Sequence, residues 1–188
     1  MGTIKTTNIQ SITGSGTVTI GQSGETITVP SGATVTGALT NTPAFSAKSS
    51  GQQTATENVT TLLAIDTKNY DTDGAYDNTS SNYKFTVPSG EAGKYHFSGV
   101  VEIDTSGSGN TVMFLDEVVI YKNGSSVNKL IFWRSSTARY QSNFYSFAQT
   151  LNLAASDYVQ LYARGRTTDS SNVLLQAADF SAHKLIGV

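Results

Sequence analysis

Cysteine is absent from these 188 residues, which excludes disulfides, thiol nucleophiles and thiolate-ligated zinc together. Charge is scarce as well: Asp, Glu, Lys and Arg make up 14% of the chain and the formal net charge is −2. The broad basic field that dominates binding to phosphate backbones is therefore missing, and nucleic acid is not an expected partner. No run approaches the ~20 apolar residues of a membrane-spanning helix, and Met1–Thr7 lacks the apolar stretch of a secretory signal. Neither a membrane nor secretion is expected. On that basis the Asn-x-Ser/Thr triplets at Asn58, Asn78 and Asn123 read as chance in an Asn/Ser/Thr-rich chain rather than as glycan acceptors. Convincing helical periodicity is also missing. A β-domain of this size can bury roughly two thirds of its unfolded surface, so it needs no covalent staple.

What is present is unevenly distributed. The first forty residues carry two charges, Lys5 and Glu25, against eleven Thr and seven Gly, and the aromatic and charged residues concentrate beyond them. This shift predicts an N-terminal Thr/Gly-rich stem or docking arm at 1–40 and a head domain at 41–188. Inside the first segment, Thr17–Ile20, Thr26–Val29 and Thr34–Gly37 read as three short strands separated by Gly, Ser and Pro turns. Val18, Ile20, Ile27, Val29, Val35 and Leu39 share an apolar side, but six aliphatic residues cannot enclose a core within one chain. Three copies wound about an axis would stack them into a β-prism or short β-helical stem. The alternative is a flexible Thr/Gly-rich tail that orders on a docking surface.

In the head, alternating runs predict strands near 59–66, 83–87, 95–103, 111–121, 130–133, 143–153, 158–164 and 173–186. The expected core comprises Leu63, Ile65, Phe85, Val87, Tyr95, Phe97, Val119, Tyr121, Leu151, Leu153, Val159, Leu161 and Phe180. Asn123-Gly124 is the strongest local turn signal, since both residues tolerate the positive φ of a type I′ turn, and Tyr121 and Val127 are expected to flank it. Pro88, Gly90 and Gly93 punctuate two alternating runs, Phe85/Val87 and Tyr95/Phe97, which predicts a hairpin.

These segments occur in a telling order: Asn69–Asp77, then Phe85–Phe97, Ile120–Gly124, Leu151–Leu161 and the closing Phe180–Leu185. Over roughly residues 43–188 the chain resembles the TNF-like jelly-roll superfamily, which includes the globular head of the complement first component and virion proteins of bacteriophages. The resemblance implies an all-β, ten-stranded TNF-like jelly-roll β-sandwich that assembles as a homotrimer. It also supplies a virion context. A compact trimer with one stem and one head suits threefold positions of an icosahedral shell. The expected role is thus a non-enzymatic capsid decoration, or cement, protein on the capsid exterior, synthesised in the host cytoplasm and partnered by itself and the major capsid protein. The alternative is a head-fibre or tail-fibre tip that binds a host-surface receptor or glycan.

Catalytic and cofactor signals do not compete with this reading. No Gly-x-Ser-x-Gly elbow exists, and Gly14/Gly16 and Gly107/Gly109 lack the third glycine and following helix of a phosphate cradle. No catalytic residue and no cofactor is expected. His96 and His183 each fall in a predicted strand without a second ligand at metal-binding spacing, so each reads as structural. Asp71, Asp73 and Asp77 surround Gly74 and could offer oxygens to calcium, but the loop lacks the closing Glu of an EF-hand and a structural turn is the simpler reading. Trp133, Arg134, Arg139, Tyr140, Arg164 and Arg166 concentrate the residue types enriched at interface hot spots. Packing within the sandwich or across the trimer is the first reading for Trp133, and an external receptor surface the second.

Overall fold

The computed structural model describes residues 41–105, 112–133 and 141–186, with 131–133 as backbone, together with the isolated Thr26, Thr28 and Ser31. The chain divides after Gly37 into two units, 1–37 and 38–188. The six aliphatic residues assigned to a stem, Val18, Ile20, Ile27, Val29, Val35 and Leu39, lie outside the described residues.

The head is all-β. Its strands are β1 (Ala44–Lys48), β2 (Gln53–Ala55), β3 (Thr61–Leu62), β4 (Thr67–Asp71), β5 (Tyr76–Asp77) and β6 (Lys84–Thr86). They continue as β7 (Gly93–Thr105), β8 (Met113–Lys122), β9 (Ser125–Trp133), β10 (Ser142–Leu153), β11 (Tyr158–Thr167) and β12 (Val173–Lys184). Two antiparallel sheets form. Sheet A has the order β10-β7-β12-β1-β4 with β2 beside β12, and sheet B the order β5-β6-β11-β8-β9 with β3 beside β11. Ten strands in two five-strand ladders, with two short additions, make a jelly-roll sandwich.

Each long strand turns its apolar set inward by the two-residue period. Tyr95, Phe97, Val101 and Ile103 of β7 meet Val159, Leu161 and Ala163 of β11 in one buried cluster. Its centre is aromatic. Phe45 of β1 stacks on Tyr76 of β5 with ring centres 4.5 Å apart and on Phe85 of β6 at 5.3 Å, and meets the edge of Phe180 at 5.2 Å. Because Phe45 and Phe180 belong to sheet A while Tyr76 and Phe85 belong to sheet B, these contacts hold the layers together. The Tyr76 hydroxyl is kept from costing stability by donating to the Ile65 carbonyl at 3.0 Å, and burial pushes its pKa well above the ordinary phenol value.

Four sequence expectations change. The Pro88-Gly90-Gly93 connection is not a hairpin: β6 and β7 lie in different sheets. Phe85 meets Tyr95 at 5.3 Å in a tilted contact and Phe97 at 5.8 Å edge-on across the core. The two apolar rows therefore meet across the sandwich rather than along a ladder. Residues 59–66 form a strand only at Thr61–Leu62, although Leu63 and Ile65 are buried as expected. Tyr121 is half-buried on the outer face of sheet B against Tyr162, ring centres 4.4 Å apart, and Val119 is buried without joining the inter-sheet core. The Asn123-Gly124 turn forms with φ of 51° and 75°, flanked by Lys122 and Ser125 rather than by Tyr121 and Val127.

Candidate interaction surfaces

Strand register builds the outer face of sheet A in rows. One row runs Ala148, Ser98, Ser181, Ser46 and Tyr70 across β10, β7, β12, β1 and β4. The next runs Thr150, His96, His183 and Ala44. Small side chains keep this face low; Ser98 and Ser181 hydroxyls lie 3.0 Å apart in a hydrogen bond. At one side, Phe144 of β10 is 66% exposed and Val100 of β7 41%. A ring as open as Phe144 on a packed strand leaves a sizeable apolar area in water.

The same register corrects the reading of the histidines as isolated. His96 and His183 are direct cross-strand partners, their ring centres 5.6 Å apart at an interplanar angle of 48°. Both are half-buried, and Nδ1 of His96 lies 3.4 Å from the Thr150 hydroxyl. Nothing in the local sequence of either residue announces the other; only the pairing of β7 with β12 does.

The outer face of sheet B is different in chemistry. Arg164 of β11 sits opposite Glu117 of β8 and bonds it at 3.1 Å. Arg166 lies opposite Leu115, 3.6 Å from the Glu57 carboxylate and with its guanidinium 4.9 Å from the Phe114 ring centre. Lys84 lies 5.2 Å from the Tyr158 ring centre, and Tyr121 and Tyr162 form an adjacent ring pair. Desolvation raises the pKa of the Tyr162 hydroxyl. The backbone of Trp133 ends β9 opposite Leu115, in the same row as Arg166. Arg134, Arg139 and Tyr140 lie outside the described residues. Thus Arg164 and Arg166, proposed from sequence as surface contacts, share a face but are already occupied by carboxylates.

Each of the three carboxylates weighed for calcium accepts from its own local partners. Asp71 accepts the Ala75 and Tyr76 amides at 2.9 and 3.2 Å and the Lys68 ammonium at 3.2 Å. Asp73 accepts the Thr72 hydroxyl. Asp77 accepts the Thr79 hydroxyl and amide at 2.6 and 2.9 Å and the Asn82 amide at 2.7 Å, and these bonds, led by the Thr79 hydroxyl, lower its pKa. Among the described residues no group of three or more His, Cys, Asp and Glu side chains converges as a metal site. Two buried carboxylates were not foreseen: Glu117, paired with Arg164, and Asp116, fully buried, which accepts the Asn143 side-chain amide at 3.0 Å and so ties β8 of sheet B to β10 of sheet A.

No family model and no curated protein matches this chain in sequence. In three dimensions it is similar to the globular domain of zebrafish complement 1qA, with 16% identity, 76% of this chain and 96% of that chain covered, and a TM-score of 0.48. It is similar also to Eiger TNF from S. frugiperda, at 14% identity, with 78% and 95% covered and a TM-score of 0.51. Murine APRIL gives 13%, 76%, 99% and 0.44. At such identities the likeness concerns fold alone, and the head of this chain has the TNF/C1q-like jelly-roll fold.

Proposed function

We propose that this chain is a non-enzymatic structural protein of a bacteriophage virion, which assembles as a homotrimer and decorates the capsid exterior at threefold positions. The observation that carries the self-associating part is the outer face of sheet A. Its rows of Ser and Ala present a low surface that a neighbouring subunit can approach closely, and Phe144, 66% exposed, supplies an apolar anchor at its side. A trimer that binds only the assembled shell stabilises it by mass action, because every contact made by the lattice-bound trimer is lost on disassembly. The virion setting rests on the sequence resemblance described above.

The second reading, a fibre tip that contacts a host glycan or receptor, draws on sheet B. The Tyr121/Tyr162 ring pair and the Lys84/Tyr158 contact give that face the aromatic platforms on which sugar rings stack.

The copy number of the chain in purified particles, measured by mass spectrometry against the major capsid protein, separates the two. Hundreds of copies support decoration, a few dozen or fewer a fibre, and absence from particles overturns both. A native mass equal to one 19.9 kDa chain at micromolar concentration would reject the trimer.

A further inference from the structure

We propose that His96 and His183 form a two-imidazole site for a borderline divalent transition metal ion, of the class of Zn2+, Ni2+ and Cu2+. The two residues are direct partners in the antiparallel β7–β12 ladder, so their Cα positions are set by a regular ladder within sheet A rather than by a loop. Their ring centres are 5.6 Å apart. A His nitrogen binds Zn2+ at about 2.0–2.1 Å, which places two rings bound at a tetrahedral angle with their centres about 5 Å apart. Small rotations of the side chains close the difference.

Within one chain, the side chains around the pair are small on three sides. Along the row the pair is flanked by Thr150 and Ala44, and in the next row by Ser98 and Ser181, none of which overhangs the rings by size. Among the described residues no hydrogen bond or ion pair commits either imidazole to a carboxylate; the Thr150 hydroxyl at 3.4 Å from Nδ1 of His96 is at the edge of hydrogen-bond range. The adjacent Lys184 is directed to Glu91 at 2.9 Å, which offsets its charge locally. Lys94 stands on the same face of β7 in the row beside His96, and Asp179 on β12 two rows from His183. With neutral imidazoles as the donors, the site favours Cu2+, Ni2+ and Zn2+ over the oxygen-seeking Ca2+ and Mg2+. Solvent or an incoming ligand completes the coordination, since among the described residues no third His, Asp or Glu joins the pair.

The test uses the full chain at neutral pH. Zn2+ is titrated while the imidazole ring signals of both histidines are followed by NMR, and Cu2+ binding is read by electron paramagnetic resonance. The expected result is one equivalent per chain, both imidazoles shifting with a single isotherm, two nitrogen donors on Cu2+, and no response to Ca2+. His96→Ala and His183→Ala are each expected to weaken binding at least ~10-fold, a loss that even an outer-shell partner of a metal can cause. The wild-type NMR titration needs no variant, so a folding defect in either variant would not leave the assignment undecided. Separate isotherms for the two rings, one nitrogen donor on Cu2+, or no saturable response would overturn it.

Discussion

Asn123 and Asp157 lock two distant turns to each other. The Asn123 side-chain amide donates to Asp157 at 2.7 Å, its carbonyl oxygen accepts the Tyr158 amide at 2.9 Å, and its own backbone amide donates to the Tyr158 carbonyl at 3.0 Å. The residue that shapes the β8–β9 hairpin therefore also fixes the crossover from β10 in sheet A to β11 in sheet B. Asp157 completes the knot by accepting the Lys122 ammonium and the Ala154 amide, each at 2.8 Å. The hydrogen bonds from Lys122 and Asn123 hold its carboxyl at a pKa of about 2.

Asp157→Asn is expected to cost about 1–2 kcal/mol at neutral pH, the range for charge-assisted hydrogen bonds trimmed by exposure to solvent. The pH dependence has a definite sign. A carboxyl whose folded-state pKa is depressed from about 3.9 in the unfolded chain stabilises the fold above about pH 4. That contribution is lost as the pH falls through the folded-state value of about 2. Thermal melts of the two proteins should converge over this window; a gap that stays constant down to pH 2 would show that the Asp157 charge is not what stabilises the turn.

Gly99 makes room for aromatic packing. It occupies an inward position of β7, with Phe147 of β10 on one side and Phe180 of β12 on the other. A Cβ there would lie 2.1 Å from the backbone oxygen of Asp179 and 2.8 Å from the Phe147 ring. Gly99→Ala is expected to destabilise by about 1–3 kcal/mol, the usual cost of overpacking. Since a ring can yield but the Asp179 backbone cannot, combining it with Phe147→Ala should not restore the stability of Phe147→Ala alone. Denaturant unfolding of the four proteins in this cycle measures the difference.

Arg164 and Glu117 are unequal partners, with side chains 29% and 3% exposed. Removing the arginine strands a buried carboxylate, whereas removing the carboxylate frees an arginine that can turn to water. Arg164→Ala should cost about 3 kcal/mol or more, Glu117→Gln clearly less, and the double variant should recover part of the Arg164→Ala loss. Equal single-variant costs in chemical denaturation would contradict this asymmetry. The outcome also bears on sheet B as a receptor surface, because a binding defect in Arg164→Ala would first have to be separated from unfolding.

Strands long enough to alternate were legible in the sequence: β7, β10, β11 and β12 carry most of their inward aromatic and aliphatic residues at two-residue spacing, and Asn123-Gly124 carries its own turn chemistry. By contrast, β1 was invisible because Phe45 is its only large apolar residue, flanked by Ala and Ser. β4 was invisible because Thr67–Asp71 has no buried residue, and its pairing with β1 makes it a strand. The Phe85–Phe97 region shows a different limit. Alternation identifies which faces are apolar, but not whether two such faces lie side by side or opposite each other. The His96–His183 pair lay beyond reach for the same reason: cross-strand register is a property of the assembled sheet, not of either segment.

Phe144 gives the self-association reading its most direct test. Because it is 66% exposed on the outer face of β10, replacing it by Asp removes little from the folded head itself, and the melting temperature measured under dissociating, dilute conditions should change little. An interface anchored by the ring would instead be weakened twice, by losing an aromatic contact and by burying a charge. Sedimentation velocity over a range of concentrations should therefore show Phe144→Asp dissociating at concentrations where the wild type remains assembled. If both proteins sediment alike as assembled species, the face around Phe144 is not the contact that holds the assembly.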